Sequence, residues 1–495
     1  MNDDRTPTAV VVGAGFAGIG AARELAKHGV RVVLVERHDY HQFQPLLYQV
    51  ATAGLARSDV ASSLRTLMRH HELVDVKAAD VESVDPAART VTAADGITFT
   101  GDYLILAAGS RPNFFDTQGA DEHSIPLYSV NDAERLRTRV FAAFDAADRD
   151  PSLVDRGVIR FVVVGGGPTG VEVAGALAEL IQDVLPHQYR SLAVRSASVH
   201  LVDHAHTLLG PFSDRAHDYA AKVLQRKGVR LHLGTGVVEI SPDKVVLSDG
   251  TVLATRTVIW AGGVMAASLA ERTGLPVGRG GRLVVEHDLT VDEVPGVYAV
   301  GDVANVPAPD GTPYPQLGSV ALQSGQWAAR NVVADIRGRS RKPFHYHDKG
   351  IMAMIGRGAA VAEIGEHRHE LHGAVAFASW LGVHAYLMSG VRSRADAFVS
   401  WGWDYFSTNR TPAIVDRSDA GRIDWGDEAD DADEADDADE AAEAAEADEA
   451  AEADEAARDA EAADPAGTDE GTQTSADRAP ADDDHRRQPD AIRAP

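Results

Sequence analysis

The sequence predicts an α/β fold in which two parallel-sheet domains, the second inserted into the first, precede a C-terminal α-helical segment. Three observations support this prediction. An apolar strand, a glycine-rich turn and a helix follow one another twice, from Thr8 and again from Arg160. Further strand patterns at 103–108 and 297–300 lie on either side of the second copy. Residues 377–406 contain eight aromatic residues, whereas the 6% average of the chain would give about two.

Length and composition leave room for about three domains of roughly 150 residues and exclude several kinds of chemistry. The 495 residues are 44% apolar and include no cysteine. Disulfide scaffolds, thiolate zinc sites, iron–sulfur clusters and thiol redox reactions are therefore excluded, and no metal site is expected. The first apolar stretch runs into glycines instead of a secretory hydrophobic segment, so we expect a cytoplasmic chain.

The charge of the chain is concentrated at its C-terminal end. Residues 419–495 contain 29 acidic and six basic residues, a net charge of −23 out of −28 for the whole chain. Repeated Ala, Asp and Glu without an apolar face predict an acidic disordered tail. A tail that only increases solubility and a tail with a partner are both compatible with this composition. Neither part of the chain has the basic surface that nucleic-acid binding requires.

The first glycine-rich turn has the pattern of a Rossmann-like dinucleotide-binding domain. A strand at 8–12 leads into Gly13, Gly15 and Gly18, then a helix pattern, and a second strand that ends at Glu36. Gly13 makes the turn, Gly15 lets backbone N–H groups approach a pyrophosphate, and Gly18 lets the helix pack closely on the strand. We expect Glu36 to accept hydrogen bonds from a ribose diol.

The second turn repeats this pattern in an inserted domain. Its strand ends in Gly165 and Gly167, and its helix begins near Gly170. The following strand ends at Asp203, which lies further from the turn than usual because of an insertion at 186–195. Asp203 is either a ribose-binding acid or an ordinary acid at a strand end.

Two dinucleotide sites in a chain without cysteine predict hydride exchange between a flavin and a nicotinamide. The N-terminal site is expected to hold FAD and the inserted site NADH. An acid at the ribose diol repels a 2′-phosphate, so Asp203 favours NADH over NADPH. Strand ends at Ala108-Gly109 and Gly301-Asp302 fit a split flavin domain, in which Asp302 could bind a ribityl hydroxyl.

Several longer segments resemble those of the type II NADH:quinone oxidoreductases, single-subunit NADH dehydrogenases that do not pump protons. The resemblance covers residues 8–417. It rests on the segment 41–52, which resembles a family segment beside the flavin, on 170–175 with Glu172, and on 346–365 with Lys349. It implies that NADH reduces tightly bound, non-covalent FAD and that the reduced flavin reduces menaquinone or ubiquinone in the respiratory chain.

One segment departs from the family pattern. The quinone motif of the family reads Ala-Gln-x-x-x-Gln, and here Gln323 matches its second Gln while Ser319 stands at the first. The resemblance implies catalytic roles for Glu172, Gln323 and Lys349, with Glu172 and Lys349 as proton donors. Glu172 could instead be a structural acid. Lys349 could instead be a surface lysine or a charge that polarises the flavin.

The aromatic segment at 377–406 predicts contact with a membrane surface. Its rings alternate with Arg392 and Arg394, and Arg410 follows, as in helices that lie among lipid headgroups. A dimer interface or a packed helical hairpin is the alternative, and the resemblance implies a homodimer. We therefore expect a peripheral protein on the cytoplasmic face of the cell membrane.

The predicted domains are the FAD-binding domain in two parts (1–125 and 272–345), the inserted NADH-binding domain (126–271), a C-terminal domain with amphipathic membrane-associating helices (346–418) and the acidic tail (419–495). The residues expected to bind the cofactors are Gly13, Gly15, Phe16, Ala17, Gly18, Glu36, Arg37, Pro45, Gln49, Val81, Ala108, Gly109, Gly165, Gly167, Pro168, Thr169, Gly170, Glu172, Asp203, Gly262, Gly301, Asp302, Ser319 and Val320. Two other hypotheses stay open: a soluble flavoprotein reductase, and a redox-sensing scaffold that acts through its tail.

Overall fold

The computed structural model describes residues 6–192, 194–292, 294–365, 367–388 and 391–406. Its first sheet has five parallel strands, which in spatial order are Val297–Ala299, Tyr103–Leu106, Thr8–Val12, Arg31–Glu36 and Val74–Ala78. The strand at 297–299 pairs with the strand at 103–106, so distant parts of the chain build one sheet. Their apolar side chains form a common core with residues between 266 and 344.

Two long helices pack together beside this sheet. They are Phe16–Lys27, which follows the first glycine turn, and Gly318–Ile336. The helices approach so closely that a Cβ on Gly325 would collide with the backbone carbonyl of Ala17. This close contact brings the segment around Ser319 next to the first turn.

The second sheet repeats the parallel arrangement. Its strands in spatial order are Ile125–Pro126, Thr257–Trp260, Arg160–Val164, Ser198–Asp203 and Arg230–Leu233. Its helices are Val130–Arg149, Pro168–Glu179 and Asp214–Arg226. The helix after the second turn begins at Pro168, close to the predicted start near Gly170, and continues through a π-helical turn, Leu180–Val184, into the short helix Leu185–Gln188.

Smaller paired strands, antiparallel except for the parallel pair Leu283–Val284 with Ala304–Asn305, accompany the two large sheets. The strands Ser110–Pro112 and Val264–Ala266 form an antiparallel ribbon. The first follows the strand Tyr103–Leu106 of the first sheet, and the second follows the strand Thr257–Trp260 of the second sheet, so the ribbon links the two sheets. The other paired strands are Tyr40–Gln42 with Ala61–Ser63, Val81–Asp85 with Thr90–Ala93 and Thr98–Thr100, Val237–Ser241 with Lys244–Leu247 and Val252–Ala254, and Leu283–Val284 with Ala304–Asn305. Short helical turns are Gln44–Leu46, Leu47–Ala51, Arg57–Val60, Leu64–Met68, Ala120–His123, Pro151–Val154, Val194–Ser196, Leu269–Arg272, Arg279–Gly281 and Gly301–Val303.

The C-terminal region combines a sheet with two helices. Sequence patterns had indicated helices there, but three antiparallel strands come first: Gly350–Gly356, Ala359–Ile364 and His369–Gly373. The helices Ala374–Leu387 and Val391–Phe406 follow. The helix Ala374–Leu387 is not amphipathic, because both of its faces are apolar. Val375, Val383 and Tyr386 are exposed on one face, and Trp380 is buried on the other.

Within the described ranges, no helix is both long and apolar enough to cross a lipid bilayer. The predicted disordered tail, Arg410, and the side chains of Arg392, Trp403, Tyr405 and Phe406 lie outside the described residues.

Candidate active site

The first glycine turn has a backbone that only glycine accommodates. Gly13 has a φ of +99°, and a Cβ there would collide with the carbonyl of Ala107 at the end of the neighbouring strand. A Cβ on Gly18 would collide with the Gly13 carbonyl, so this glycine lets the helix begin directly against the turn. Gly15 has open space above it, which suits the approach of a bound phosphate group.

Glu36 closes the first turn. Its carboxylate accepts hydrogen bonds from the backbone N–H of Ala14 at 2.6 Å and of His38 at 3.4 Å. A carboxylate has about four lone-pair positions, so two of them stay available to a ribose diol. This arrangement places Glu36 where a ribose-binding acid is expected.

The turn opens into a cleft that contains most of the predicted flavin-site residues. Those lining it are Gly13, Gly15, Phe16, Ala17, Glu36, Arg37, Pro45, Val81, Ala108, Gly109 and Asp302. The cleft also contains His41, from the segment that resembles a family segment beside the flavin, and residues that no motif singled out, namely His38, Tyr40, Ser110, Tyr128, Arg272 and Gln316. No spacing pattern marks these six residues, because they come from separate parts of the chain that only folding brings together.

Asp302 belongs to a polar group within this cleft. The Ser110 hydroxyl donates to its carboxylate at 2.9 Å, and the Tyr128 hydroxyl lies 3.2 Å from the same Ser110 oxygen. Burial raises the pKa of Asp302, while Ser110 and the nearby Arg282 lower it in part. Asp302 therefore offers a buried acceptor that a hydroxyl-rich ligand can use.

The second turn repeats the construction of the first. Gly165 has a φ of +111°, and a Cβ there would collide with the Ala261 carbonyl. The Asp203 carboxylate accepts hydrogen bonds from the backbone N–H of Gly166 and, at 2.6 Å, of Ala205. The exposed His204 lies 3.4 Å from the same carboxylate.

The second turn is open to solvent where its helix begins. Pro168 and Thr169, at the start of its helix, are exposed, and Gly167 has open space above it. Gly170 is buried against the turn, and Gly262 lies against the Trp260 indole. The predicted nicotinamide-site residues thus meet at one end of the second sheet.

Glu172 lies on the helix that follows the second turn and reaches the C-terminal region. Its carboxylate accepts the Met354 N–H at 3.1 Å. Burial raises the pKa of Glu172 to about 8, an effect that Met354 and the Trp380 indole offset only in part. The residue keeps some surface open to solvent while its carboxyl group is enclosed. A carboxyl group with this pKa holds a proton at neutral pH.

Aromatic side chains connect the neighbourhood of Glu172 with the first cleft. Trp380 stacks on His384 at 3.9 Å, and His384 meets Phe43 edge-on at 6.2 Å. Phe43 in turn contacts Phe16 in the first turn at 5.7 Å. Burial lowers the pKa of His384 to about 4, so its ring is neutral at physiological pH.

Gln49 joins this aromatic group from the side. Its amide accepts the Trp401 indole N–H at 2.7 Å and donates to the Tyr48 hydroxyl at 2.9 Å. Because both amide atoms are used, Gln49 ties the C-terminal helix at 391–406 to the segment at 47–51. It does not line the first cleft.

The residues of the quinone motif bind their own chain. The Ser319 hydroxyl lies 2.8 Å from the Tyr346 hydroxyl. The Gln323 amide donates to the His347 carbonyl at 3.0 Å and accepts the His347 N–H at 2.9 Å. Together these contacts attach the segment at 346–347 to the helix at 318–336. Val320, between them, is buried in the core.

Two further predicted residues are placed away from the cleft surface. Gly301, with a φ of +69°, is buried and donates its N–H to the Ser324 hydroxyl at 3.1 Å. The Lys349 side chain is exposed. Its catalytic role stays a prediction. Among the described residues, no three His, Asp or Glu side chains are grouped so that they could hold a metal ion.

Comparisons with known proteins agree with this arrangement. Residues 7–325 match the family described as pyridine nucleotide-disulphide oxidoreductase. The type II NADH:quinone oxidoreductase Ndh of Mycobacterium tuberculosis is 34% identical over 83% of this chain and 92% of its own length. The enzyme NdhA of the same organism is 34% identical over 81% of this chain and 87% of its own length.

The fold also resembles solved structures. NDH2 from Plasmodium falciparum, solved in complex with NADH, superimposes with a TM-score of 0.76 at 18% identity and covers 83% of this chain and all of its own. The sulfide:quinone oxidoreductase from Aquifex aeolicus gives a TM-score of 0.63 at 18% identity, over 82% of this chain and 96% of its own.

Proposed function

Because the chain belongs to the type II NADH:quinone oxidoreductase family, we propose that it holds non-covalent, tightly bound FAD in the first cleft and NADH at the second turn. The enzyme is an NADH:quinone oxidoreductase, and it transfers electrons to a membrane quinone without pumping protons. The observation that supports this proposal best is the pair of glycine turns, each closed by an acid hydrogen-bonded to the turn backbone.

The first cleft fits a flavin dinucleotide. The space above Gly15 suits a pyrophosphate, Glu36 suits the ribose diol, and the buried Asp302 carboxylate suits a ribityl hydroxyl. A bound flavin would take a hydride from NADH and supply two electrons to the quinone. The residues of the cleft, which come from several segments of the chain, would hold the group.

The second turn fits NADH better than NADPH. Asp203 places a carboxylate beside the turn, where it favours a ribose diol and repels a 2′-phosphate. The adjacent His204 lies 3.4 Å from this carboxylate, and its side chain is 90% exposed. The open surroundings of this turn suit a substrate that binds and leaves in every cycle.

We assign the proton donor for the quinone to Glu172. Its carboxyl group is protonated at neutral pH and lies beside the buried aromatic group of Phe43, Trp380 and His384, which keeps water away from it. The menaquinone or ubiquinone head would have to reach the carboxyl group past these rings. Lys349 stays a candidate for the second proton, although its exposed side chain would have to move.

We further propose that the C-terminal helices rest on the cytoplasmic face of the cell membrane. Among the described side chains of these helices, six large apolar ones are exposed: Val375, Val383, Tyr386, Leu387, Phe398 and Val399. Trp380 and Trp401 connect this apolar face to the neighbourhood of Glu172, so a quinone could pass from the lipid to the site. A homodimer that covers part of the same face is the other expected assembly.

A turnover assay with quinone and vesicles tests the function. NADH oxidation by the full chain is measured with menaquinone or ubiquinone in anionic vesicles, with a soluble acceptor for comparison, and vesicle flotation reports membrane binding. We expect rapid quinone-dependent turnover and co-flotation. Turnover with soluble acceptors alone would favour the soluble reductase, and NADH binding without turnover would favour the redox-sensing scaffold.

A further inference from the structure

Two consecutive residues beside the second turn have an unfavourable backbone conformation. Phe115 has a φ of +50° and Asp116 a φ of +54°, in the left-handed region that side chains other than glycine rarely adopt. Strained residues of this kind persist where the surrounding structure holds them, and they cluster at ligand-binding sites. The question is therefore what this strain achieves at Phe115.

The strain turns the Phe115 ring out of the protein. The preceding Phe114 packs on the Trp260 indole at 5.5 Å and is partly buried. Phe115 instead leaves 61% of its surface exposed. Local hydrogen bonds hold this shape, because the Asn113 side chain accepts the Phe115 N–H at 2.9 Å and Thr117 donates its N–H to Phe114 at 2.9 Å.

The exposed ring stands at the end of the second sheet where the nicotinamide cofactor is proposed to bind. It contacts Gly263, whose added Cβ would lie 3.3 Å from the ring. Gly263 follows Ala261, and the Ala261 carbonyl packs against Gly165 of the second turn. Asn113 also donates its N–H to the Gly263 carbonyl at 3.1 Å, so ring and turn belong to one edge.

The position along the chain indicates which half of the dinucleotide the ring meets. Ser110, five residues before Phe115, lines the flavin cleft and donates to Asp302. The strand Ser110–Pro112 pairs with Val264–Ala266, the segment directly after Gly263. Phe115 thus lies on the path between the second turn and the flavin cleft, which the reacting nicotinamide has to follow.

We infer that Phe115 is a positioning residue whose ring stacks on the nicotinamide half of NADH. This inference rests on the proposed function, and it adds a contact that neither glycine turn provides. An aromatic ring offers a flat apolar surface to a planar ligand, and a ring already turned outward loses little freedom when the ligand binds.

Four variants of the full-length holoenzyme test the inference: F115A, F115Y, F115G and D116G. Anaerobic rapid mixing with NADH, followed at the flavin absorbance, gives the NADH dissociation constant and the reduction rate. We expect F115A and F115G to weaken NADH binding about 3- to 10-fold and F115Y to bind as wild type does. D116G is the matched control, since it relieves the neighbouring strain but keeps the ring, and it should bind NADH no more weakly than wild type.

Competition experiments identify the half of the ligand that meets the ring. Reduced nicotinamide mononucleotide should lose affinity in F115A, whereas ADP-ribose, which lacks the nicotinamide, should bind equally to F115A and wild type. Both glycine variants should also raise the melting temperature slightly, because glycine adopts positive φ without strain.

Three outcomes would overturn the inference: unchanged NADH affinity in F115A and F115G, equal weakening in D116G, or weaker binding of ADP-ribose instead of the mononucleotide. A wild-type enzyme whose flavin is not bleached by NADH would contradict the proposed function itself. The two failures are therefore distinguishable.

Discussion

The glycine turn at 13–18 opens into a cleft lined by several separate parts of the chain, whereas the turn at 165–170 begins a helix whose first two residues, Pro168 and Thr169, are exposed. Both turns follow a parallel strand, and in both an acid accepts the N–H of the residue after the first glycine: Glu36 from Ala14 and Asp203 from Gly166. One local construction thus appears in a cleft built from many segments and at an exposed helix start. The difference suits a cofactor that stays and a substrate that exchanges.

The largest expected effect comes from filling the two turns. Gly18→Ala places a Cβ against the Gly13 carbonyl, and Gly170→Ala places one against the Gly165 carbonyl. G18A should purify without flavin, because the turn that this Cβ displaces lines the flavin cleft. G170A should keep its flavin, but low concentrations of NADH should reduce that flavin more than about 100-fold more slowly than in wild type. Flavin content and stopped-flow reduction measure both.

The comparison fails if G170A loses flavin as readily as G18A does. The two sites would then depend on each other for folding, and the difference between the many-segment cleft and the exposed helix start would not explain their roles.

Glu172→Gln should give the next largest effect. It removes the ionisable group, so quinone reduction should fall about 100-fold while flavin reduction by NADH stays within twofold. Because the pKa of Glu172 is about 8, the wild-type quinone step should decline as pH rises through 8, and the variant should lose that decline. Separate measurement of the two half-reactions between pH 6 and 9 checks both expectations.

The raised pKa of Glu172 also predicts a stability difference. Folded Glu172 keeps a proton that the unfolded chain releases near the ordinary glutamate pKa of 4.5, so the free energy of unfolding falls as pH rises from about 4.5 to about 8. The melting temperature of E172Q should fall less over this range. Glu179→Gln, on the same helix but paired with Lys227 at 2.6 Å, is the control, and it should keep the wild-type pH profile of quinone reduction.

Sequence patterns predicted both turns and their acids because the pattern is local. The spacing of glycines, strand and acid fixes the geometry within about 40 residues of chain. The contacts of Ser110 with Asp302 and of Phe43 with His384 join residues 192 and 341 positions apart, and no local pattern encodes them. The same limit explains why the C-terminal sheet was missed.

The roles expected from the quinone motif meet a similar limit. Resemblance identified Gln323 by its position, but only the fold shows that both atoms of its amide group bind His347. Whether those bonds open for a quinone stays to be tested. The π-helical turn at 180–184 likewise has no signal in the apolar pattern of that helix.

Changing the cofactor preference of the open turn should have an intermediate effect. D203A combined with H204R removes the carboxylate and adds a cation for a 2′-phosphate, so the ratio of NADPH to NADH use should rise about 10-fold or more. Steady-state kinetics with both cofactors measures the ratio. An unchanged preference for NADH would mean that Asp203 is not the ribose acid.

The smallest expected effect concerns the departure from the family motif. Ser319→Gln removes the hydroxyl that lies 2.8 Å from Tyr346 and adds an amide at the first position of the motif. We expect the quinone KM to change about 3-fold, with the KM for NADH unchanged. Tyr346→Phe is the control, because it removes the same contact between hydroxyl groups without adding an amide. Equal KM values for quinone in all three enzymes would show that neither group contacts the substrate.

Flavin content and its response to NADH test the central claim most directly. The purified full-length protein is denatured to release its cofactor, the cofactor is identified and counted per chain, and the native protein is titrated with NADH without oxygen. The account predicts one FAD per chain, bleached by one equivalent of NADH and restored by quinone. A colourless protein that takes up no flavin when it is supplied would contradict the account.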